Sequence, residues 1–255
     1  MTRHFLHSVI FDHDEVADRD AWPFCLPAVR QLETLELHPG VTFFVGENGS
    51  GKSTLLEAIA EKLGFKAGGG SRVASPAAHE FTSPLTRHLR LSRTANRPMD
   101  GFFLRAESFY NWATELDELE ATPFCSGVLR AYGGQSLHAQ SHGESFLSLM
   151  THRLGGHGLY LFDEPEAALS PQHQLSMIVR LHDLVQEFSQ CIIATHSPLI
   201  MAYPHAWIYQ FTQEGLQRIS YEETAHYRIT RAFLRDPRAM MRELLQRDGE
   251  LDLDD

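Results

Sequence analysis

Short apolar runs, separated by longer stretches of helical spacing, set the expected architecture of this chain. Val41-Thr42-Phe43-Phe44-Val45, Gly101-Phe102-Phe103-Leu104-Arg105-Ala106, Gly158-Leu159-Tyr160-Leu161-Phe162 and Cys191-Ile192-Ile193-Ala194 do not alternate with polar residues, the pattern of strands covered on both faces of a parallel sheet. Between them, helices are predicted from Lys52 to Leu63 with a stop at Gly64, from Tyr110 to Leu119, from Gly143 through Phe146, Leu147, Leu149, Met150 and Leu154 to a stop at Gly155-Gly156, and from Pro171, capped by Ser170, to about Phe188. The first forty residues read as short strands, Phe5 to Phe11 and Thr34 to Leu37, interrupted by Trp22-Pro23-Phe24 and closed by the Pro39-Gly40 turn. Gly68-Gly69-Gly70-Ser71 reads as a flexible loop, Leu85 to Leu91 as a strand in a Ser-, Pro-, Thr- and Arg-rich stretch, and Tyr132 to His142 as a polar loop. The last fifty residues predict strands Trp207 to Phe211 and Leu216 to Tyr221, then helices Glu223 to Leu234 and Pro237 to Gln246. This alternation predicts an α/β fold with a largely parallel core sheet flanked by helices and an N-terminal antiparallel β portion. A single domain spanning 1–255 is expected, with about 71–157 as an intervening helical part.

Composition narrows the class. The chain has 255 residues, 43% of them hydrophobic, enough for a large buried core. No apolar stretch approaches the roughly 18 residues of a membrane span, and the start lacks a signal-peptide pattern, so a cytoplasmic location is expected. Cys25, Cys125 and Cys191 are far apart and form no C-x-x-C pair, which indicates neither a disulfide framework nor a zinc site. The net charge of −11 opposes non-specific attraction to a polyanion. Acidic residues crowd 12–20, 115–120 and the tail 248–255, whereas Arg72, Arg87, Arg90, Arg93 and Arg97 have few acidic neighbours. The Arg87 to Arg97 stretch reads either as a solvated face or as a surface for an anionic partner.

The chemistry begins at Gly46-Glu47-Asn48-Gly49-Ser50-Gly51-Lys52-Ser53-Thr54, set between an apolar strand and a helix. Strand, glycine-rich turn and helix form the context of a phosphate-binding loop: backbone N–H groups and the helix N-terminus face an anion, Lys52 reaches the β- and γ-phosphates, and the Ser53 hydroxyl meets Mg²⁺. Two further polar clusters end apolar strands, Asp163-Glu164-Pro165 and Thr195-His196-Ser197, and Ser141-His142-Gly143-Glu144-Ser145 opens a helix. Strand carboxyl ends are where ligands bind open α/β sheets.

In this order the four elements resemble the ATP-binding-cassette (ABC-type) P-loop ATPases in the broad sense, which include transporter motors, SMC and RecF-like ATPases and the OLD-related ATPases. The resemblance covers about residues 41–200. It implies that Gly46 through Thr54 are the Walker A loop binding ATP, that Asp163 ends Walker B and holds Mg²⁺ with Ser53, that Glu164 polarises the attacking water, and that His196 is the switch histidine at the γ-phosphate. Ser141, Gly143 and Glu144 resemble the signature motif of a helical signature subdomain, which touches the nucleotide of an opposite subunit, so an ATP-dependent homodimer is implied. His142-Gly143 replaces the usual double glycine and Glu144 the usual Gln. Glu166-Ala167-Ala168-Leu169-Ser170-Pro171 is similar to the RecF and OLD-related side of the superfamily. No Gln occupies the expected Q-loop. Glu107 is the substitute metal ligand there, or an ordinary surface Glu, and Trp22 either stacks on adenine or belongs to the core. Gly101 through Phe109 and Ala194 through Pro204 look like a group of compact bacterial ATPases.

Two tasks fit such a motor. One is a soluble ATPase switch whose ATP-closed dimer acts on a macromolecular partner, nucleic acid or an effector protein, in DNA repair or defence. The other is the ATP-binding subunit of a membrane transporter. The interval from Lys52 to Ser141 is too short for a long SMC coiled coil. The presence of Asp163, Glu164 and His196 disfavours a module that binds ATP without turnover.

Overall fold

A computed structural model describes residues 4–14, 16–71, 83–122 and 127–245; Arg72, Cys125, Gln246 and the acidic tail lie outside them. The chain order is β1 (Leu6–Phe11), α1 (Pro27–Arg30), β2 (Thr34–Glu36), β3 (Val41–Gly46), α2 (Lys52–Leu63), β4 (Gly70–Ser71), α3 (Leu85–His88), β5 (Leu89–Arg93), β6 (Asp100–Arg105), α4 (Phe109–Glu120), α5 (His142–Ser148), β7 (Gly158–Asp163), α6 (Pro171–Gln186), β8 (Gln190–Ala194), α7 (Pro198–Met201), β9 (Trp207–Thr212), β10 (Gly215–Ile219), α8 (Ala225–Arg235) and α9 (Pro237–Leu245).

Seven strands form the main sheet in the order β10-β9-β3-β8-β7-β6-β4, and β2-β1-β5 make a smaller antiparallel sheet. Strands β9, β3, β8, β7 and β6 run parallel, so their carboxyl ends lie along one edge. The apolar runs are buried at every position in β3, β7 and β8. Because each is covered on both faces, one face packs with Phe44, Leu161, Ile192 and α2, and the other with Phe43, Phe162, Ile193 and α6. The Gln190 side chain clamps the two sheets together. Its oxygen accepts from the Phe5 and Leu6 amides (3.0 and 2.9 Å), and its amide donates to the Leu6 and His38 carbonyls (2.8 and 3.0 Å).

The helical part is tied to β6 by Arg153, whose Nη1 donates to both Asp100 carboxylate oxygens at 3.0 Å, while the Tyr160 hydroxyl donates to Asp100 at 2.9 Å. The two half-buried charges are stable here because each satisfies the other and the Tyr160 hydroxyl adds a second donor to the carboxylate. Among the described residues no helix is long and apolar enough to cross a membrane.

Several local expectations change. Gly70-Ser71 is no loop: it pairs with Phe103 and Phe102 as an antiparallel edge strand. The predicted strand Leu85 to Leu91 begins as the helical turn α3 and becomes strand only at Leu89, because Glu61 accepts from the Ser83 amide and the Thr86 hydroxyl and holds the turn. The predicted helix after Gly143 starts at His142 and widens into a π-helical turn over Leu149–Arg153. There Arg180 Nε donates to the Met150 carbonyl at 3.0 Å, taking an acceptor from the regular ladder. Tyr221 leaves strand β10 for a 3₁₀ turn, and the next helix starts at Ala225 behind a Thr224 cap. Trp22 is 63% exposed and so is not core.

Candidate nucleotide-binding site

Strand β3 ends in a loop whose turns require glycine. Gly46 has φ +152°, and a Cβ there would lie 2.8 Å from the Phe211 carbonyl oxygen. The loop feeds α2 at Lys52, so the helix N-terminus faces the concavity. The Lys52 ammonium donates to the Gly46 and Glu47 carbonyls at 3.0 and 2.9 Å. Burial holds its pKa below the ordinary lysine value, against the pull of Glu164, Asp163 and Glu166.

The predicted residues converge because β7 and β8 flank β3 in the sheet order. Ser53 Oγ donates to Asp163 Oδ1 at 2.8 Å. Desolvation pushes the Asp163 carboxyl up to about 6, outweighing the Ser53 hydrogen bond and the Arg105 guanidinium, whose Nε is 3.5 Å from Oδ2. Glu164 sits at φ +49°, a conformation costly for a residue with a side chain and maintained by its surroundings. Its amide donates to the Ala194 carbonyl at 2.9 Å, pinning the end of β7 to the end of β8.

His196 follows β8. The Glu166 carboxylate accepts from the His196 amide and, at 2.7 Å, from the Thr195 hydroxyl. His196 Nε2 is buried without a hydrogen-bond partner and lies 3.6 Å from Glu164 Oε1. Burial, with Lys52 nearby, keeps its pKa below the ordinary histidine value.

Glu107 stands just past β6, with Oε2 3.5 Å from Arg105 Nη2, and shares a cleft of about 200 Å³ with Ser53, Asp163, Glu164 and His142. A second cleft of about 340 Å³ brings Trp22 and Leu26 beside Asn48, Gly49, Gly51, Lys52 and Thr54. Glu47 and Ser50 face a third, of about 290 Å³, toward Thr212 and His226.

Ser141, Gly143 and Glu144 line none of these three clefts; of their segment, His142 alone reaches one. Ser141 caps α5 and forms a capping box with Glu144. Gly143 packs against α6, where a Cβ would come within 2.3 Å of His173 Nδ1.

Three residues that sequence reasoning missed are part of the same cluster. Arg105 bridges Asp163 and Glu57, 3.3 Å from Glu57 Oε2; a charged residue closing the buried run Gly101–Leu104 was its available signal. In the sequence Glu166 stands only as the first residue of the segment running to Pro171, with nothing to assign it the contacts to Thr195 and His196. His226 lies 30 residues beyond His196, yet its Nε2 is 3.3 Å from His196 Nδ1, and no local pattern announces it.

Two family models match parts of the chain: "AAA domain" over residues 25–90, and "AAA domain, putative AbiEii toxin, Type IV TA system" over residues 108–202. No curated protein matches it. A solved structure described as "An inward-facing conformation of a putative metal-chelate type ABC transporter" aligns with 90% of this chain and 88% of its own, at 16% identity and a TM-score of 0.50. The chain has the fold of an ABC-type P-loop ATPase. Other similar structures are the SMC head domain from Thermotoga maritima (16% identity, 85% and 98% coverage, TM-score 0.44) and cbiO1 from Clostridium perfringens (14% identity, 84% and 91% coverage, TM-score 0.46). In this ABC-type fold the phosphate loop and the two carboxylates lie at the carboxyl edge of the sheet.

The donor set fits a nucleotide with a divalent cation. Asp163 is a buried carboxylate destabilised by desolvation, with a serine hydroxyl on one oxygen, and Arg105 Nε beside it has no hydrogen-bond partner. Among the described residues no three His, Cys, Asp or Glu side chains form a metal cage. Mg²⁺ needs none, since it is bound through one or two protein oxygens plus phosphates and waters.

Proposed function

We propose that this protein hydrolyses ATP and works as an ATP-dependent dimeric switch on a macromolecular partner. The observation that carries the reading is the convergence of Lys52, the Ser53–Asp163 pair at 2.8 Å, Glu164 and His196 at one sheet edge. In it, Lys52 exchanges its two loop carbonyls for β- and γ-phosphate oxygens. The loop amides from Gly46 to Thr54 wrap the phosphate chain, and Trp22 covers the base. Ser53 and Asp163, with Glu107 at the rim, hold Mg²⁺, which when bound would neutralise phosphate charge. Glu164 accepts a proton from water as the water oxygen bonds to the γ-phosphorus, and the bond to the ADP oxygen breaks. His196 Nε2 donates to the γ-phosphate as charge spreads over its oxygens.

One subunit supplies mainly one cation and one histidine to that phosphate. Ser141 and Glu144, exposed and outside the clefts, complete the shell with the α5 N-terminus from a second copy under two-fold symmetry. The description of the model matching 108–202 supports a defence role over transport. For an anionic partner, Arg87 and Arg93 offer exposed guanidiniums, whereas Arg90 is already paired with Asp12.

Glu164→Gln tests the reading. It is expected to bind ATP, lose at least about 10²-fold in turnover as for a missing general base, and accumulate as a dimer on a sizing column. Unchanged turnover removes Glu164 from its role, and a dimer formed equally without ATP removes the sandwich. Titrating the trapped dimer with duplex DNA at low and moderate salt tests the partner: a polyanion site gives affinity that falls steeply with salt, and indifference to DNA at low salt excludes it.

A further inference from the structure

Among the described residues outside the four motifs, Glu166 meets the backbone of the switch histidine and His226 meets its ring. His226 is the second residue of α8, and its Nε2 lies 3.3 Å from His196 Nδ1, the rings meeting edge-on with centroids 5.4 Å apart. Two further ties hold α8 there. The Tyr221 hydroxyl donates to the Pro198 carbonyl at 2.8 Å, and the Tyr221 and Tyr227 rings pack at 4.7 Å. The backbone of His196 is fixed independently by Glu166, so rotation and tautomer of the ring are what remain to be set.

Neutral imidazole carries one proton, and a hydrogen bond at one nitrogen decides what the other offers. Two arrangements satisfy the 3.3 Å contact. If His196 Nδ1–H donates to His226, His196 Nε2 presents a lone pair to Glu164 Oε1 at 3.6 Å, which is repulsive, and it cannot donate to phosphate. If His226 Nε2–H donates to His196 Nδ1, then His196 Nε2 carries the proton and faces the carboxylate as an N–H. Only an N–H at Nε2 faces the Glu164 carboxylate without opposing lone pairs across that 3.6 Å, so the second arrangement prevails. Both rings are buried enough to fall below the ordinary histidine value, consistent with a neutral pair at pH 7.

We propose that His226 is a positioning residue that holds His196 in the Nε2–H tautomer, keeping a proton donor aimed at the γ-phosphate position before nucleotide arrives. This deepens the role given to His196 above and rests on it for its catalytic consequence; the tautomer itself does not depend on ATP. His226 reaches the ring from α8, a helix with no buried residue of its own.

The test is ¹⁵N NMR of the nucleotide-free protein, with the His196 ring signals assigned by their loss in His196→Ala, together with steady-state ATPase kinetics. Wild type is expected to show a protonated Nε2 and a bare Nδ1 on His196. His226→Glu, which can only accept, is expected to move the proton to Nδ1. His226→Leu is expected to leave nucleotide affinity within about twofold and lower kcat about tenfold to a hundredfold, the range for losing an orienting outer partner. His226→Gln, whose amide N–H sits where Nε2–H does, is expected to restore most of that loss. An Nδ1–H tautomer in wild type overturns the proposal, as does His226→Leu with the tautomer and kcat both unchanged. Normal hydrolysis by His196→Ala would instead overturn the role of His196 in the proposed function, while the NMR comparison still decides the tautomer.

Discussion

The phosphate loop and the signature segment differ in how completely one chain builds them. Around Lys52 the parts are preassembled: Ser53 already touches Asp163, Lys52 is buried against carbonyls that phosphate oxygens can replace, and Glu164 and His196 are pinned by β8 and Glu166. At Ser141 the helix N-terminus is instead satisfied by its own chain. Glu144 accepts from the Ser141 amide and hydroxyl at 3.0 and 2.6 Å and is held below the usual carboxylate range by those bonds. A carboxylate already occupies part of the α5 N-terminus, where the proposed function puts a phosphate. Under the proposed function the loop is thus ready for ligand, whereas the α5 N-terminus would exchange an internal carboxylate for one.

Breaking the loop is expected to have the largest effect. Lys52→Ala should weaken ATP binding by about a hundredfold, as truncating a buried charge partner does, and should abolish ATP-dependent dimerisation. Calorimetric titration and sizing read both, and retained affinity would mean that the loop does not depend on the lysine.

Asp163→Asn separates function from stability. A carboxyl raised to about 6 in the folded state, against about 3.9 unfolded, contributes stability that is full below pH 4 and is lost as pH rises through 6. Removing the ionisable group should therefore stabilise the metal-free protein at pH 7 by about 2–3 kcal/mol, with the gain fading toward pH 4, while hydrolysis is lost. Denaturant titrations in EDTA at pH 4 and 7 measure this. A destabilised variant at pH 7 would show that the Arg105 contact outweighs desolvation.

The smallest effect sharpens the other side of the comparison. Glu144→Gln removes the competing negative charge at the α5 N-terminus and should tighten the ATP-bound dimer about twofold to fivefold, the scale of one charge at an exposed helix end. Weaker dimerisation would show that the capping carboxylate supports the interface instead of opposing the phosphate.

The loop was legible because strand, glycines, lysine and helix are contiguous, and local backbone geometry forces the amides inward. Asp163-Glu164 and His196 were legible because each ends an apolar run, and parallel strands bring such ends to one edge. Glu107 was readable only by its place after β6, and the structure adds its neighbours across the cleft. The strand expected at Leu85 and the loop expected at Gly68 were misread because their partners, Glu61 and β6, are remote in sequence. The same distance hid Arg105 as a counter-ion and His226 as a ring partner, since a single charge or histidine has no periodicity to betray it.

By itself, then, the order of residues determined the fold class, the phosphate loop and the identity of the carboxylates, because all three follow from contiguous patterns of burial and backbone freedom. Only the tertiary structure decided which groups face one another: that Asp163 is desolvated beside Arg105, that Glu144 caps its own helix, and that α8 reaches His196. Those outcomes depend on side chains meeting across the sheet edge, where distance in space sets charge and hydrogen bonding and distance along the chain does not.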